Sequence, residues 1–512
     1  MWRTYLWLAL ILFVALALRV WGINFGLPYT LHVDEGALVM PALKILQTGD
    51  FNPHHFDYGS LHIYLLALAY IPYFLYGARS GVFQNIQSIP VIDDYHMITT
   101  YPYPTVFLVG RVVSALLGVL TVYWAYRVGA RIWDRRIGLI AALLLAVMPA
   151  AVRMSHFIVG DTSMNLLVLM ALEAIVVAYR GRRIIHFATA GLLIGLAAAC
   201  KQTGVQLAAA LLLAAVGWST ARANRPLATA VGLLSVAGGF VLGTPYAVLD
   251  LPTFLNWQAY DLHLYARPAA QIFEGPSWIW HWRYLLTSEN AILIVVALIG
   301  MVMIVRQQRW LGLMLISFPV LHWYSMSSQA TRYDRTWLPL TSFVCLFGAV
   351  AIVNISTWLS AHVAAVAGRI RLVTGAAVVA LAGPFLVGSV MLGIHFNEPD
   401  VRLLTLSWIE QNLPKGAHLA VELSRPPLSP SDWNLTYTVA LPQHDLAWYR
   451  SQGVEYLVAS AVMEGNPNRT VADEAWYQHL RATCEPLTTI LGPALGLPDI
   501  RFRVYDLKTC QD

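Results

Sequence analysis

The feature that most limits how this chain folds is a series of long apolar runs without polar alternation. They fall near residues 5–21, 105–126, 137–152, 163–179, 184–199, 204–219, 227–246, 290–305, 310–324, 336–359 and 372–395. Each approaches the roughly 20 residues that a helix needs to cross a bilayer core, which predicts about eleven spans. A lipid-facing backbone must satisfy its own polar groups, so only helix bundles and closed barrels cross membranes. Unalternating runs select helices. The chain is 58% hydrophobic and 12% charged, against about 25% charged for soluble domains. A disordered protein, a coiled coil and an ordinary cytosolic enzyme are thereby excluded. Arg3 precedes the first run and no small-residue cleavage site follows it. That run reads as an anchor, not as a removed signal.

The net charge of +5 is explained by where the cations stand. Alternate loops carry Arg127, Arg131, Arg135 and Arg136, then Arg180, Arg182 and Arg183, then Arg222 and Arg225, then Arg306 and Arg309, then Arg369 and Arg371. The loops between them are poor in cations; residues 22–104 hold only Lys44 and Arg79. Short-loop Lys and Arg mark the cytoplasmic side. This predicts a cytoplasmic N-terminus and an extracytoplasmic C-terminus, and the basic balance calls for no nucleic acid. A further apolar stretch at 60–76 would invert every later loop if it crossed. It is therefore expected to lie on or partly enter the outer face, with a second, shorter helix at 36–47.

Past residue 395 the composition turns polar. Residues 1–395 are expected to form the membrane domain and 396–512 a small extracytoplasmic α/β domain. A helix is predicted at 402–412 and strands at 418–423, 456–460 and 502–507. Cys484 and Cys510 lie in that domain, where a bridge is permitted. Cys200 and Cys345 lie in or near spans and are expected to pack.

Ionisable groups in a membrane protein are costly and stand where they work. Here they gather in the outer loops: Asp34 and Glu35, Asp57 and Tyr58, His156 and Asp161, Lys201, then Asp250, Asp261, His263, Arg267 and Glu274, then Arg332, Asp334 and Arg335. Helix interiors are almost bare of charge, Glu173 excepted. That argues against an ion or proton path.

The ordered set resembles a known family. Asp34-Glu35 follows the first span, Phe56-Asp57-Tyr58-Gly59 precedes a second short helix, and Arg111 opens the next span. Arg135-Arg136 sits in the first inner loop, His156 and Asp161 precede the fourth span, and Lys201-Gln202-Thr203-Gly204 follows the fifth. Over roughly residues 1–350 this looks like the lipid-linked-sugar glycosyltransferases of GT-C fold, the bacterial branch of the protein O-mannosyltransferase and aminoarabinose transferase superfamily. The run Tyr449–Ser460 resembles C-terminal domains of bacterial members. The resemblance implies an all-α polytopic bundle with outer-face juxtamembrane helices. It also implies transfer of a sugar from a polyprenyl-phosphate donor to a hydroxyl of a lipid, glycan or protein acceptor.

That chemistry needs a carboxylate base and positive charge on the leaving phosphate, which suits a one-base, inverting displacement. Asp34 is the candidate base; a helix N-cap is its structural alternative. Glu35, about 100° round the helix, is expected to assist by holding Asp34 or a cation. Lys201, with Arg332 or Arg335, would hold the phosphodiester, although a snorkelling lysine would look alike. Asp161 would orient one of these cations or cap its span. Tyr58 stands where the family has a lysine, which removes one phosphate-binding charge. His156 is a weaker substrate-binding candidate with a structural alternative, and Arg111 is expected to anchor its span at headgroup level. Asp57 matches a metal-binding carboxylate of the family, and His263 would add a nitrogen ligand for zinc or another divalent ion. Two other classes compete: a transporter or flippase of a lipid-linked glycan, which would show repeated halves and broken mid-membrane helices, and a non-catalytic envelope assembly subunit, which needs no clustered acids.

Overall fold

Among the described residues, all eleven apolar runs are mainly helical. The computed structural model describes residues 2–92, 100–181, 183–218, 222–266, 275–287, 291–330, 332–460 and 471–510. Arg182, Arg267 and Glu274 lie outside the described residues. The order is α1 (Trp2–Val20), α2 (Val33–Thr48), α3 (Ser60–Arg79), α4 (Thr105–Ile132), α5 (Arg135–Val147), α6 (Pro149–Met154), α7 (Gly160–Arg180), α8 (Ile185–Ala198), α9 (Ala208–Gly217) and α10 (Arg225–Gly243). There follow α11 (Tyr246–Leu249), α12 (Leu251–Ala266), α13 (Ser277–Thr287), α14 (Ala291–Gln307), α15 (Arg309–Ser328), α16 (Leu338–His362), α17 (Ile370–Asn397) and α18 (Val401–Asn412).

Among the described residues, seven helical stretches are long and apolar enough to cross a membrane: Trp2–Val20, Ser60–Arg79, Thr105–Ile132, Gly160–Arg180, Arg225–Gly243, Asp334–His362 and Ile370–Asn412. All but Ser60–Arg79 coincide with expected spans. Of the remaining expected spans, α5, α8, α9 and α14 are shorter, and α15, with 20 residues, is long enough but less apolar. The 137–152 run splits at Met148–Pro149 into α5 and α6. The 184–199 run gives the 14 residues of α8, about 21 Å of helix. The protein is a multi-pass membrane protein.

The bundle has two chemically different ends. Arg180 donates to the carbonyls of Arg131 and Ile132 at 2.8 and 2.9 Å. The Trp218 indole donates to Gly181 O at 2.7 Å, and Arg225 Nε to Trp218 O at 2.9 Å. These bonds gather the arginine-bearing ends of α4, α7, α9 and α10. At the other end Arg111, early in α4, binds Glu35, and Glu35 accepts from the Ile158 N–H just before α7.

Helix α3 has the length of a span, yet both its ends touch the Asp34 end of the bundle. Ser60 N–H donates to Thr244 Oγ1 at 3.1 Å and Leu61 N–H to Ala199 O at 3.0 Å. Twenty residues on, Gly77 packs against Phe83, whose ring meets Tyr103 at the start of α4. The helix therefore lies along that face as a juxtamembrane element, as does α2. Asp34 and Glu35 occupy the first turn of α2, where the helix dipole favours carboxylates. Gly49, at φ 72°, ends α2 by returning its N–H to Ile45 O.

Beyond α17, strands β1 (His418–Val421), β2 (Asn434–Tyr437), β3 (Tyr456–Ser460), β4 (Pro486–Ala494) and β5 (Leu497–Asp506) form one sheet in the order β2-β1-β3-β5-β4. β1 runs parallel to β2 and β3; β5 pairs antiparallel with β3 and β4. Alternate side chains serve two faces. Leu419, Val421 and Val458 pack with Val401 and Ile409 of α18. Ala420, Leu457 and Tyr505 pack with Tyr449 of α19 (Leu446–Ser451) and Tyr477 of α20 (Val471–Thr483). Cys484 and Cys510 are bridged, with Cα atoms 4.3 Å apart. β2 and β4 escaped the sequence reading: β2 is four residues long, and β4 carries two prolines and an interior glycine.

Candidate active site

Close backbone approach builds the site. A Cβ on Gly59 would overlap the Ala199 carbonyl, and Gly160 lies against the Cys200 carbonyl. These two glycines let the 55–59 segment, the end of α8 and the start of α7 meet. Tyr58, Asp161 and Lys201 are brought together as a result.

Asp161, buried in the first turn of α7, pairs with Lys201 Nζ at 2.6 Å. Asp34 forms an ion pair with Arg335, and His32 Nδ1 lies 3.8 Å from the same carboxylate oxygen. Arg335 interacts electrostatically with Asp34, Tyr58 and Asp161, so it stands among acids from α2 and α7. Tyr58 is buried, and burial raises its hydroxyl well above the ordinary value. It is a neutral hydrogen-bond donor at neutral pH. Burial also lowers the pKa of His32, against the pull of Asp34 and Glu35. Its ring stacks on Phe157, with centroids 4.3 Å apart.

A cavity of about 70 Å³ is lined by Asp57, Tyr58, Lys201, Asp261, Tyr265 and His322, among others. Asp34 is not among its lining residues; it approaches the cluster through Arg335. Asp57 and Asp261 share a hydrogen bond, and burial together with the Asp57 charge pushes the Asp261 carboxyl up to about 8. Asp261 and Tyr265 are four residues apart on α12, hence on one helix face. His263 is two residues from Asp261, about 200° round, and is exposed. The expected Asp57–His263 pairing is thus replaced by Asp57–Asp261. Among the described residues, no group of three or more His, Cys, Asp or Glu side chains converges on a metal position. The Asp57–Asp261 pair still fits a divalent ion: Asp261 Oδ1 is buried with no hydrogen-bond partner among the described residues.

Several expected site residues have other partners. Glu35 is fully buried and holds Arg111 in a fork, both bonds at 2.8 Å. Arg111 also donates to the carbonyls of Ile23 and Phe25, so it is a buried tie and not a headgroup anchor. Glu35 therefore holds a cation, one of its two expected roles. His156 is buried, with Nδ1 2.9 Å from Val152 O and Nε2 3.1 Å from Trp21 O. It docks the end of α1. Arg332 donates to Ser277 Oγ at 3.3 Å and to the Gly275 carbonyl, holding the start of α13.

On the other side of the Arg335 segment lies a groove of about 980 Å³ between α6, α16, α17 and the β4–β5 turn. Its walls are mostly apolar, with Leu338, Val387, Met391 and Leu392, and its polar part is the Arg153–Asp334 ion pair at 2.5 Å together with His395. Asp334 lines this groove while its neighbour Arg335 reaches Asp34. Sequence reasoning missed the Arg153–Asp334 pair, the pairing of Asp261 with Asp57 and the place of His322 in the cavity wall. The i,i+4 spacing of Asp261 and Tyr265 was the available signal for one of them.

Residues 105–247 match the family described as dolichyl-phosphate-mannose-protein mannosyltransferase. No curated protein sequence matches the chain. The structure is similar to that of ArnT from Cupriavidus metallidurans in the apo state, at 15% identity and a TM-score of 0.53, over 98% of this chain and 99% of that one. It is also similar to ArnT of the same organism bound to undecaprenyl phosphate, at 14% identity and a TM-score of 0.50, over 98% of each chain. The archaeal oligosaccharyltransferase AglB from Archaeoglobus fulgidus, in complex with an inhibitory peptide and a dolichol-phosphate, matches at 12% identity and a TM-score of 0.51, over 93% of this chain and 71% of that one. These likenesses establish the GT-C glycosyltransferase fold.

Proposed function

We propose that this chain, which has the GT-C glycosyltransferase fold, moves a sugar from a polyprenyl-phosphate donor to an acceptor hydroxyl at the Asp34 end of the bundle. The observation that carries this reading is the row Lys201, Asp161, Arg335 and Asp34, closed by Tyr58, at one end of a membrane bundle and beside a large apolar groove. Charge is expensive at that position unless it works. The matched family and the neighbours solved with dolichol-phosphate and undecaprenyl phosphate support the same donor class.

Asp34 takes the proton of the acceptor hydroxyl, and the freed oxygen attacks the anomeric carbon opposite the phosphate. The bond from that carbon to the phosphate oxygen breaks, and configuration inverts. The donor phosphodiester carries one negative charge, and the departing monoester carries more. Lys201 and Arg335 therefore bind the transition state more strongly than the ground state. Tyr58 donates a hydrogen bond in place of the family lysine. Asp161 positions Lys201, and Arg335 positions Asp34. Asp57 and Asp261 would hold a divalent ion that adds positive charge at the phosphate. An all-oxygen pair suits a hard ion of the magnesium or manganese kind better than zinc. The 980 Å³ groove has room for an isoprenoid or acyl chain, with Asp334 and Arg335 linking it to Asp34. The arginine-rich end faces the cytoplasm, which puts transfer and residues 396–512 outside.

The test is an assay of the reconstituted full chain against a panel of polyprenyl-phosphate sugars. At least one donor should yield glycosylated acceptor and free polyprenyl phosphate with the native chain and not with Asp34→Asn. Lipid-linked glycan moved between leaflets with no transfer from any donor would overturn the reading and identify a flippase.

A further inference from the structure

At the end of the bundle remote from Asp34 there is a second charged cavity, of about 250 Å³, between α4, α7 and α8. Arg127 and Arg131 of α4 both reach one carboxylate oxygen of Glu173, at 2.8 and 3.4 Å. Glu173 is 7% exposed. One carboxylate cannot neutralise two guanidinium groups, so the cleft keeps a net positive charge. His186 also lines it, and its Nδ1 is buried with no hydrogen-bond partner among the described residues. The Arg127 guanidinium stands over the Trp124 ring at 5.0 Å, a contact that helps hold the cation in place. Arg111, which marks the Asp34 end, is 16 residues from Arg127 in the same helix, about 24 Å along its axis. The transfer chemistry makes no use of this cleft.

We propose that the cleft binds the phosphate of an anionic membrane lipid. The chemistry shared with any phosphate ligand is two arginines, a histidine and an open pocket. What selects a lipid is the surface that leads away from it. Leu116 and Leu120 are exposed at 49% and 44% and stand eight and four residues before Trp124, so they form one stripe along α4. Met170, Val177 and Leu193 supply apolar walls to the cleft itself. A headgroup phosphate seated between Arg127 and Arg131 would lay its acyl chain along that stripe. Basic pockets between spans at the cytoplasmic surface are suited to anionic headgroups.

The experiment is native mass spectrometry of the full chain in detergent, titrated with phosphatidylglycerol, phosphatidylcholine or inorganic phosphate. The native chain should retain phosphatidylglycerol over phosphatidylcholine. Each basic residue near an anionic lipid contributes about fivefold in affinity, so Arg127→Gln with Arg131→Gln should weaken retention by at least about tenfold. Glu173→Gln releases both guanidinium groups and should bind at least as tightly as the native chain. Arg131→Gln alone, at a half-exposed side chain, serves if the double variant does not fold, with about a fivefold loss expected. Equal retention of the two lipids, or a folded arginine variant with native affinity, overturns the proposal. Displacement of the lipid by inorganic phosphate at equal concentration overturns the lipid as the source.

Discussion

Asp34 and Glu35 are adjacent, and about 100° of helix separates their directions. Glu35 goes into the protein to hold Arg111, while Asp34 goes to Arg335 at the edge of the charged cluster. Adjacent carboxylates thus acquire unlike duties. Asp34→Asn keeps the shape and removes the basicity. Turnover should fall by at least about a hundredfold with little change in donor binding, read by steady-state transfer and direct donor titration. Lys201→Met should show the reverse, a strong loss of donor binding. Asp261 gives a pH dependence. Its carboxyl titrates at about 8 in the folded chain against 3.8 for an ordinary aspartate, so the folded protein holds the extra proton. The stabilisation is complete below about pH 4 and is lost as pH rises toward 8. Thermal melts of the native chain, kept metal-free with a chelator, should therefore drop across that window, and Asp261→Asn should flatten the drop. An unchanged slope in the variant would remove Asp261 as the cause.

Elements place these residues through backbone contacts that a sequence hides. The start of α3 sits directly on the Ala199 carbonyl because Gly59 has no side chain. Gly59→Ala forces the two apart and separates Tyr58 from Lys201. The expected result is a transfer loss at least as large as that of Tyr58→Phe, together with a lowered melting temperature, measured on the same purified samples. Helix α3 also shows how composition misleads. By length and apolarity it qualifies as a span. Only the partners of its two ends, Ala199 and Thr244 at one and Phe83 beside Tyr103 at the other, lay it flat. The positive-charge pattern likewise leads to the expectation that it does not cross. Two independent physical arguments, loop charge and end contacts, therefore agree.

On the scale of the whole molecule, the C-terminal domain is fastened to the Asp34 end of the bundle. Asp400 and Arg402 form a buried fork, Arg402 donates to Leu31 O at 2.9 Å, and Leu495 lies between Asp400 and Arg153. The β4–β5 turn thus forms part of the wall of the apolar groove. The proposed orientation is tested by single cysteines in intact cells: one at Ser431 should label from outside, and one at Ala223 should label only after permeabilisation. The opposite result would invert the topology and move the site to the cytoplasm.

The sequence alone determined the membrane class, the helical runs, the sorting of charge between two ends, the small α/β domain and the short set of acids and cations from which the site is drawn. These depend on hydrophobicity and charge along the chain, which act through solvent and need no partner. It also marked Asp34, Asp161 and Lys201 as candidates, because charge at a membrane face is rare. Tertiary structure alone decided which charge meets which. It gave Glu35 to Arg111, Arg332 to the start of α13 and His156 to the end of α1, set Asp261 instead of His263 beside Asp57, and joined Asp34 to Arg335 across 301 positions. Such pairings are settled by distance in the folded chain, and loop composition carries no trace of them.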